Sequence, residues 1–233
     1  MNHPVPGDYI DIHNHDSFIR DSVFTVDTLM AHEGINPVYR DGIAYSVGVH
    51  PWFLTEANQQ QLLDFVKTNA CNENVVAIGE AGYDRLKGPS SELQRKIFEE
   101  QVRISDECRK PLIIHCVRSW DELLASHKKM KPAMPWLVHG FRGKKELAAQ
   151  LTGRGMYLSF WFDFIIRPES SDLVKCLPLD RIFMETDGSE VSIKEIYLKV
   201  AGDLGIGLDE LKNIILKNYK SLFSTLKITT DLT

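Results

Sequence analysis

The sequence lacks several features that would have assigned it to other classes of protein. No run of about 18 apolar residues occurs, which argues against a membrane-spanning helix, and Met1, Asn2, His3 and Pro4 do not form the basic-then-apolar start of a secretory signal. There is no internal repeat, low-complexity tract or evident linker. The cysteines are few: Cys71, Cys108, Cys116 and Cys176 are widely spaced with no CxxC pair, a pattern that speaks against a disulfide scaffold or a zinc ribbon and fits a reducing cytoplasm. Positive charge is also short. With 27 Lys and Arg against 32 Asp and Glu, the formal charge is −5, so any nucleic acid would have to be held by local cations and metal ions and not by bulk attraction.

What is present is the size and composition of one α/β-barrel domain: 233 residues, 43% hydrophobic and 25% charged. Residues 1–233 are expected to form a single domain, cytoplasmic, monomeric and without membrane contact. Short apolar runs alternate with amphipathic segments, the pattern of βα units around a parallel sheet. The runs are Tyr9 to His13, Ile43 to His50, Val75 to Glu80, Leu112 to His115, Trp136 to His139, Gly155 to Phe160 and Arg181 to Asp187. Between them, Leu93, Ile97, Phe98 and Val102 recur at helical spacing from Ser91, with Gln94 placed for a capping box. Pro168 suits a helix start, and Ile193 to Leu204 and Leu208 to Leu222 read as two closing helices. From Asp16 to Gly42 only a helix near Asp27 to His32 is legible. The expectation is therefore a TIM-like (β/α) barrel, distorted or incomplete, with seven evident strands.

The chemistry lies at the ends of those runs. His13, Glu80, His115, His139 and Asp187 each close an apolar run, and in a parallel barrel the carboxyl ends of the strands carry the active site. His13 and His15 are two residues apart, so in extended chain both imidazoles share a face, as do Glu185 and Asp187. Imidazole with carboxylate suits zinc, manganese, iron or nickel, and the small number of cysteines near these positions argues against a thiolate site. Six ligands exceed one tetrahedral ion but suit two ions about 3.5 to 4 Å apart, a pair that lowers the pKa of bound water and polarises an electrophile. Such a pair hydrolyses phosphodiesters, or acyl and amide bonds. His50, in Gly48-Val49-His50-Pro51, is placed either to contact substrate or to make a structural hydrogen bond.

These residues also carry a resemblance. Asp11-Ile12-His13-Asn14-His15, Gly48-Val49-His50-Pro51, Ala77-Ile78-Gly79-Glu80 with Gly82-Tyr83-Asp84, Ile114-His115, His139-Gly140-Phe141-Arg142-Gly143, Glu185-Thr186-Asp187 and Asn218-Tyr219-Lys220-Ser221-Leu222-Phe223 together resemble TatD-type metal-dependent deoxyribonucleases of the amidohydrolase-like barrel class. The resemblance implies two divalent ions, zinc, manganese, magnesium or similar, bridged by Glu80. It implies that His13 and His15 serve one ion and His115 and His139 the other, while Asp187 ligates the first ion and handles the water proton. Arg118 is similarly placed to the family's basic residue near the substrate and would take a phosphate oxygen. Two features depart from the family: Trp52 stands where a second histidine usually follows His-Pro, which implies stacking or packing there, and Gly188-Ser189-Glu190 leads almost at once into a helix. The implied partners are DNA ends or a small hydrolysable molecule. The same barrel hosts amide, ester and small-phosphate hydrolysis, and a non-catalytic metal-binding barrel is a further alternative that the full ligand set disfavours.

Overall fold

The computed structural model describes residues 3–16, 18–34, 37–161 and 165–224. Eight strands form one sheet in chain order, β1 (Tyr9–Asn14), β2 (Val23–Met30), β3 (Ile43–Gly48), β4 (Val75–Asp84), β5 (Leu112–Val117), β6 (Trp136–Val138), β7 (Tyr157–Phe160) and β8 (Ile182–Met184). The register is parallel for β1 with β2, β3 with β4, β4 with β5, β6 with β7 and β7 with β8. Helices alternate with the strands: α1 (Gln59–Ala70), α2 (Ser91–Cys108), α3 (Trp120–Met130), α4 (Lys145–Thr152), α5 (Pro168–Cys176), α6 (Ile193–Leu204) and α7 (Leu208–Leu222). This is the TIM-like barrel class. No helix among the described residues is long and apolar enough to cross a membrane.

The expected count of seven strands is corrected to eight. In place of a helix near Asp27 to His32 the chain forms strand β2, followed by a short 3-10 turn at Ala31–Glu33. The pairing runs Tyr9 with Val23, Ile10 with Phe24 and Asp11 with Thr25. The reason this strand was hidden is chemical. Thr25, Asp27 and Thr28 interrupt its apolar run yet are buried, because a parallel strand covered on both faces turns even its polar positions inward. Ser46 on β3 donates to the Thr28 hydroxyl at 3.1 Å.

The described chain falls into two compact units, one within Met1–Asp27, Arg40–Ala44 and Leu137–Leu222, the other within Thr28–Tyr39, Tyr45–Trp136 and Phe223–Thr233. In the first, α6 buries Ile193, Ile196, Tyr197 and Val200, and Tyr197 is tied to β1: its hydroxyl accepts from the Ile10 N–H and donates to the Ile10 carbonyl, both at 3.1 Å. Asn218 of α7 donates to the Leu179 and Ile182 carbonyls at 2.7 and 2.9 Å, fixing the start of β8. Ser192 caps α6 by accepting from the Lys194 N–H.

In the second unit, α2 is the organising helix. Its N-cap is Ser90, whose hydroxyl accepts from the Leu93 N–H, and Gln94 does not complete a capping box. Its amide instead accepts from the Asp84 N–H at 2.8 Å and donates to the Asp84 carbonyl at 2.9 Å. One heptad on, Gln101 does the same at Val49, accepting at 2.7 Å and donating at 3.2 Å. Two buried amides thereby hold the backbone where β3 and β4 end. The β4 backbone lies so close to β5 that a Cβ at Gly79 (φ 133°) would collide with the Ile113 carbonyl, and one at Gly82 (φ 154°) with the His115 carbonyl. Only glycine fits at either position.

The cysteines also differ from expectation. Cys71, which caps α1, and Cys108, the last residue of α2, form a disulfide with a Cα–Cα distance of 5.5 Å. The two residues are 37 apart in sequence, and only the packing of α1 on α2 brings them together. Beside them the buried Lys110 ammonium donates to the Ala70 and Asn72 carbonyls at 2.5 and 2.7 Å. Cys116 and Cys176 are free thiols.

Candidate metal centre

In the first unit the donors gather around Asp187. His13 is the penultimate residue of β1 and wholly buried, and His15 follows the strand's last residue; their Nε2 atoms stand 3.7 and 3.4 Å from Asp187 Oδ1. The side chains of His15 and Asp187 keep 29% and 24% of their exposure, so this cluster opens to solvent. β8 ends at Met184, three residues earlier than the apolar run suggested, and Asp187 itself adopts a left-handed backbone (φ 51°). Its N–H donates to the His13 carbonyl at 3.2 Å, which turns the carboxylate toward the two imidazoles. His139 follows β6, with its ring 4.3 Å from that of His13 and its Nδ1 3.4 Å from Glu185 Oε1. Two donor sets, His13 with His15 and Asp187, and His139 with Glu185 and Asp187, each have all their ligand atoms within 4.8 Å of one another.

A polar frame underlies this cluster. Asp11 accepts from the Thr186 N–H at 2.9 Å, from the Thr186 hydroxyl at 2.6 Å and from the Asn14 amide at 3.2 Å, while Asn14 Oδ1 accepts from the His15 N–H at 2.7 Å. One carboxyl therefore locates the residues flanking Asp187 and lying between His13 and His15. Burial pushes the Asp11 carboxyl up to about 7, assisted by the negative Glu185 and opposed by the Thr186 hydrogen bonds. Glu185 is held in turn by the Ser159 hydroxyl at 2.5 Å and the Gly140 N–H at 2.7 Å.

In the second unit the centre is Glu80, on β4. Its Oε1 lies 2.8 Å from His115 Nδ1 and 3.0 Å from His50 Nε2, and these three residues form a further donor set within 4.8 Å. His50 is buried, and its Nδ1 accepts from the Trp52 N–H at 3.1 Å. The ring proton therefore sits on Nε2 and is donated to Glu80. His115 Nε2 faces Asp84 Oδ2 at 3.1 Å, and the same oxygen accepts from the Trp52 indole N–H at 2.6 Å. Trp52 thus makes a polar contact after all, in addition to lying under the Lys87 ammonium, 3.7 Å above its ring. Burial alone would raise the Asp84 carboxyl, but the hydrogen bonds from Trp52, His115 and the Leu86 N–H outweigh it and hold the group below the usual carboxylate range.

Arg118 is exposed on the turn between β5 and α3 with a left-handed backbone, φ 52°. Glu185, Asp84 and Asp11 complete the clusters but were not singled out as site residues. Each lies inside a motif already noted, and the signal that could have found them is a second acidic residue within two to four positions of a ligand.

The sequence pattern of the TatD related DNase family matches residues 16–224. The chain belongs to this family. His13 and His15 lie just ahead of the matched stretch. Among its relatives, the "Uncharacterized metal-dependent hydrolase YcfH" of Escherichia coli K12 is 27% identical over 201 residues, covering 79% of this chain and 75% of the relative. The "Deoxyribonuclease Tat-D" of Schizosaccharomyces pombe is 28% identical over 155 residues, covering 61% of this chain and 50% of that one. The solved structure of YjjV, a TatD homologue from Escherichia coli K12, superposes with a TM-score of 0.75 at 20% identity, covering 94% of this chain and 99% of that one, which supports the barrel fold. This TatD-family chain is a metal-dependent hydrolase, and its His, Glu and Asp clusters provide donors for divalent ions.

Proposed function

We propose that the chain is a deoxyribonuclease that trims DNA ends by hydrolysing phosphodiester bonds with two divalent ions of the zinc, manganese or magnesium kind. The observation that carries this is that each compact unit builds its own cluster of imidazole and carboxylate, His13–His15–Asp187 in one and Glu80–His115, held by His50, in the other, each with its atoms within 4.8 Å of one another. Their chemistry fits the ions: imidazole nitrogens and carboxylate oxygens without a thiolate, the donors that borderline divalent metals take. In this reading His13, His15, Glu80, His115, His139 and Asp187 would be the ligands that hold the ions. When bound, such a pair lowers the pKa of a water and draws charge from the phosphoryl group.

The chain's own residues do the rest. Asp187 accepts the proton of the attacking water on its carboxylate, which is partly open to solvent. His50 acts through Nε2 by fixing Glu80, and Trp52 lines the substrate side of that cluster. Arg118, on its left-handed turn, takes a phosphate oxygen through its guanidinium fork. The net charge of −5 favours a substrate gripped locally at an end over one coated along its length. The name of the fission-yeast relative points to the same chemistry.

The test is metal analysis coupled to turnover of end-labelled DNA and of an ester and amide panel, with manganese, zinc or magnesium added. Stepwise release of nucleotides from an end is expected. Turnover confined to the small-molecule panel would replace the nuclease reading with hydrolysis of an amide, ester or small phosphate.

A further inference from the structure

Beside the Glu80 cluster, the second unit presents two adjacent aromatic rings, Trp52 and Phe53, whose exposed faces the chemistry above leaves unassigned. Trp52 is 39% exposed and Phe53 38% exposed, on the short turn Pro51–Phe53 that follows His50. Large rings at such exposure are unusual in tandem, since burying either would be favourable. Both flank the buried His50, with ring centroids 4.9 Å (Trp52) and 5.8 Å (Phe53) from it, and Trp52 lies 5.5 Å from His115. The Phe53 face takes a flat heteroaromatic ring: the imidazole of His32 lies on it at 3.5 Å with an interplanar angle of 8°. The Trp52 face takes a cation, the Lys87 ammonium at 3.7 Å.

We propose that Trp52 and Phe53, with Lys87 above the indole, form a stacking subsite for a planar base of the substrate next to the Glu80 cluster. The inference rests on the nuclease reading, which it deepens by naming what the substrate presents beyond its phosphate. A nucleobase is recognised through its π-face without regard to its identity, and the indole is anchored for this by its N–H bond to Asp84, 2.6 Å long. The Lys87 ammonium lies on a flexible stem in an exposed cation–π contact, so a base displaces it easily, and the freed ammonium then stands close enough to the ring to meet a phosphate. Because Asp84 Oδ2 also faces His115 Nε2 at 3.1 Å, the ring is built directly onto the groups that orient a proposed ligand.

The test compares binding of deoxyadenosine monophosphate and base-free deoxyribose 5-phosphate to the manganese-loaded protein by titration calorimetry. The base-bearing ligand is expected to bind about tenfold more tightly, the usual scale of one stacked base. Trp52→Ala should abolish that advantage, whereas Trp52→Phe, which keeps a ring but cannot donate to Asp84, should keep most of it. Phe53→Ala should reduce it, and Lys87→Ala should weaken the base-bearing ligand more than the base-free one. Equal binding of the two ligands by the wild type, or a base advantage that survives Trp52→Ala, overturns the subsite. A wild type that shows the base advantage but releases no nucleotide from DNA overturns the nuclease reading and leaves the subsite standing.

Discussion

The two donor clusters use the same side-chain types in opposite settings. Around Asp187 the contacts are long, 3.4 and 3.7 Å to His15 and His13, and two of the three side chains reach solvent. Around Glu80 they are short, 2.8 and 3.0 Å, and every member is buried. The first spacing exceeds a hydrogen bond and leaves room between donors; the second is a closed hydrogen-bonded set. Their supports differ too. The Asp187 cluster rests on the buried carboxyl of Asp11 and on Glu185, itself held by Ser159 and Gly140, while the Glu80 cluster is braced by two glutamines of α2, by Asp84 and, further off, by the Cys71–Cys108 cross-link. An open cluster suits a group that must take and release a proton, and a braced one suits groups that must hold still.

Asp187→Asn is the sharpest way to break this contrast. The amide keeps the shape but cannot accept a proton at neutral pH, so turnover is expected to fall by about 10² to 10⁴ while thermal unfolding changes little and the imidazoles and Glu80 retain metal. Turnover, metal content and melting temperature recorded together check this; normal turnover at normal metal content would reduce Asp187 to a structural role and end the proposed mechanism.

Removing the cross-link should act on stability instead. Cys71→Ser opens a loop of 37 residues, and a constraint of that length contributes about 2–4 kcal/mol. Denaturant unfolding of the oxidised protein reads the loss, and a variant as stable as the wild type would show that the bond does not brace the second unit.

Asp84→Asn probes the brace from inside. An amide still accepts from the Trp52 indole but orients His115 less well, and loss of such an outer partner typically lowers metal affinity or activity about 10–100-fold. A loss as large as that of Asp187→Asn would erase the distinction between the clusters.

The smallest expected effect concerns pH. Burial lowers the Lys110 ammonium from 10.5 to about 8, so between those values the unfolded chain binds more protons than the folded one and stability rises with pH. The two carbonyls that accept from Lys110 oppose the shift, leaving a gain on the order of 1 kcal/mol. Unfolding free energies at pH 8 and pH 10 measure it, and the slope should vanish in Lys110→Met.

How far the residues speak for themselves depends on whether their partners are near in sequence. The barrel class was legible because alternation of apolar runs and helical stretches is a local pattern. His13, His15, Glu80, His115, His139 and Asp187 were legible because each interrupts or ends such a run. β2 was not, since Thr25, Asp27 and Thr28 look like solvent-facing residues until neighbouring strands bury them. The same holds for Gln94, which reads as a capping-box residue, and for Gln101, which carries no signal in the sequence; both prove to be backbone clamps, at Asp84 and Val49.

By itself, then, the sequence determined which donors the chain possesses and their order along a parallel sheet, whereas the need for glycine at positions 79 and 82 arises only where β4 lies against β5. The tertiary structure alone decided how those donors are supported: that Asp11 reaches Thr186 across 175 positions, that Cys71 meets Cys108, that Trp52 bonds Asp84. Local pattern encodes what a residue can do; a hydrogen bond or cross-link between distant residues exists only once packing has offset the entropy of bringing them together.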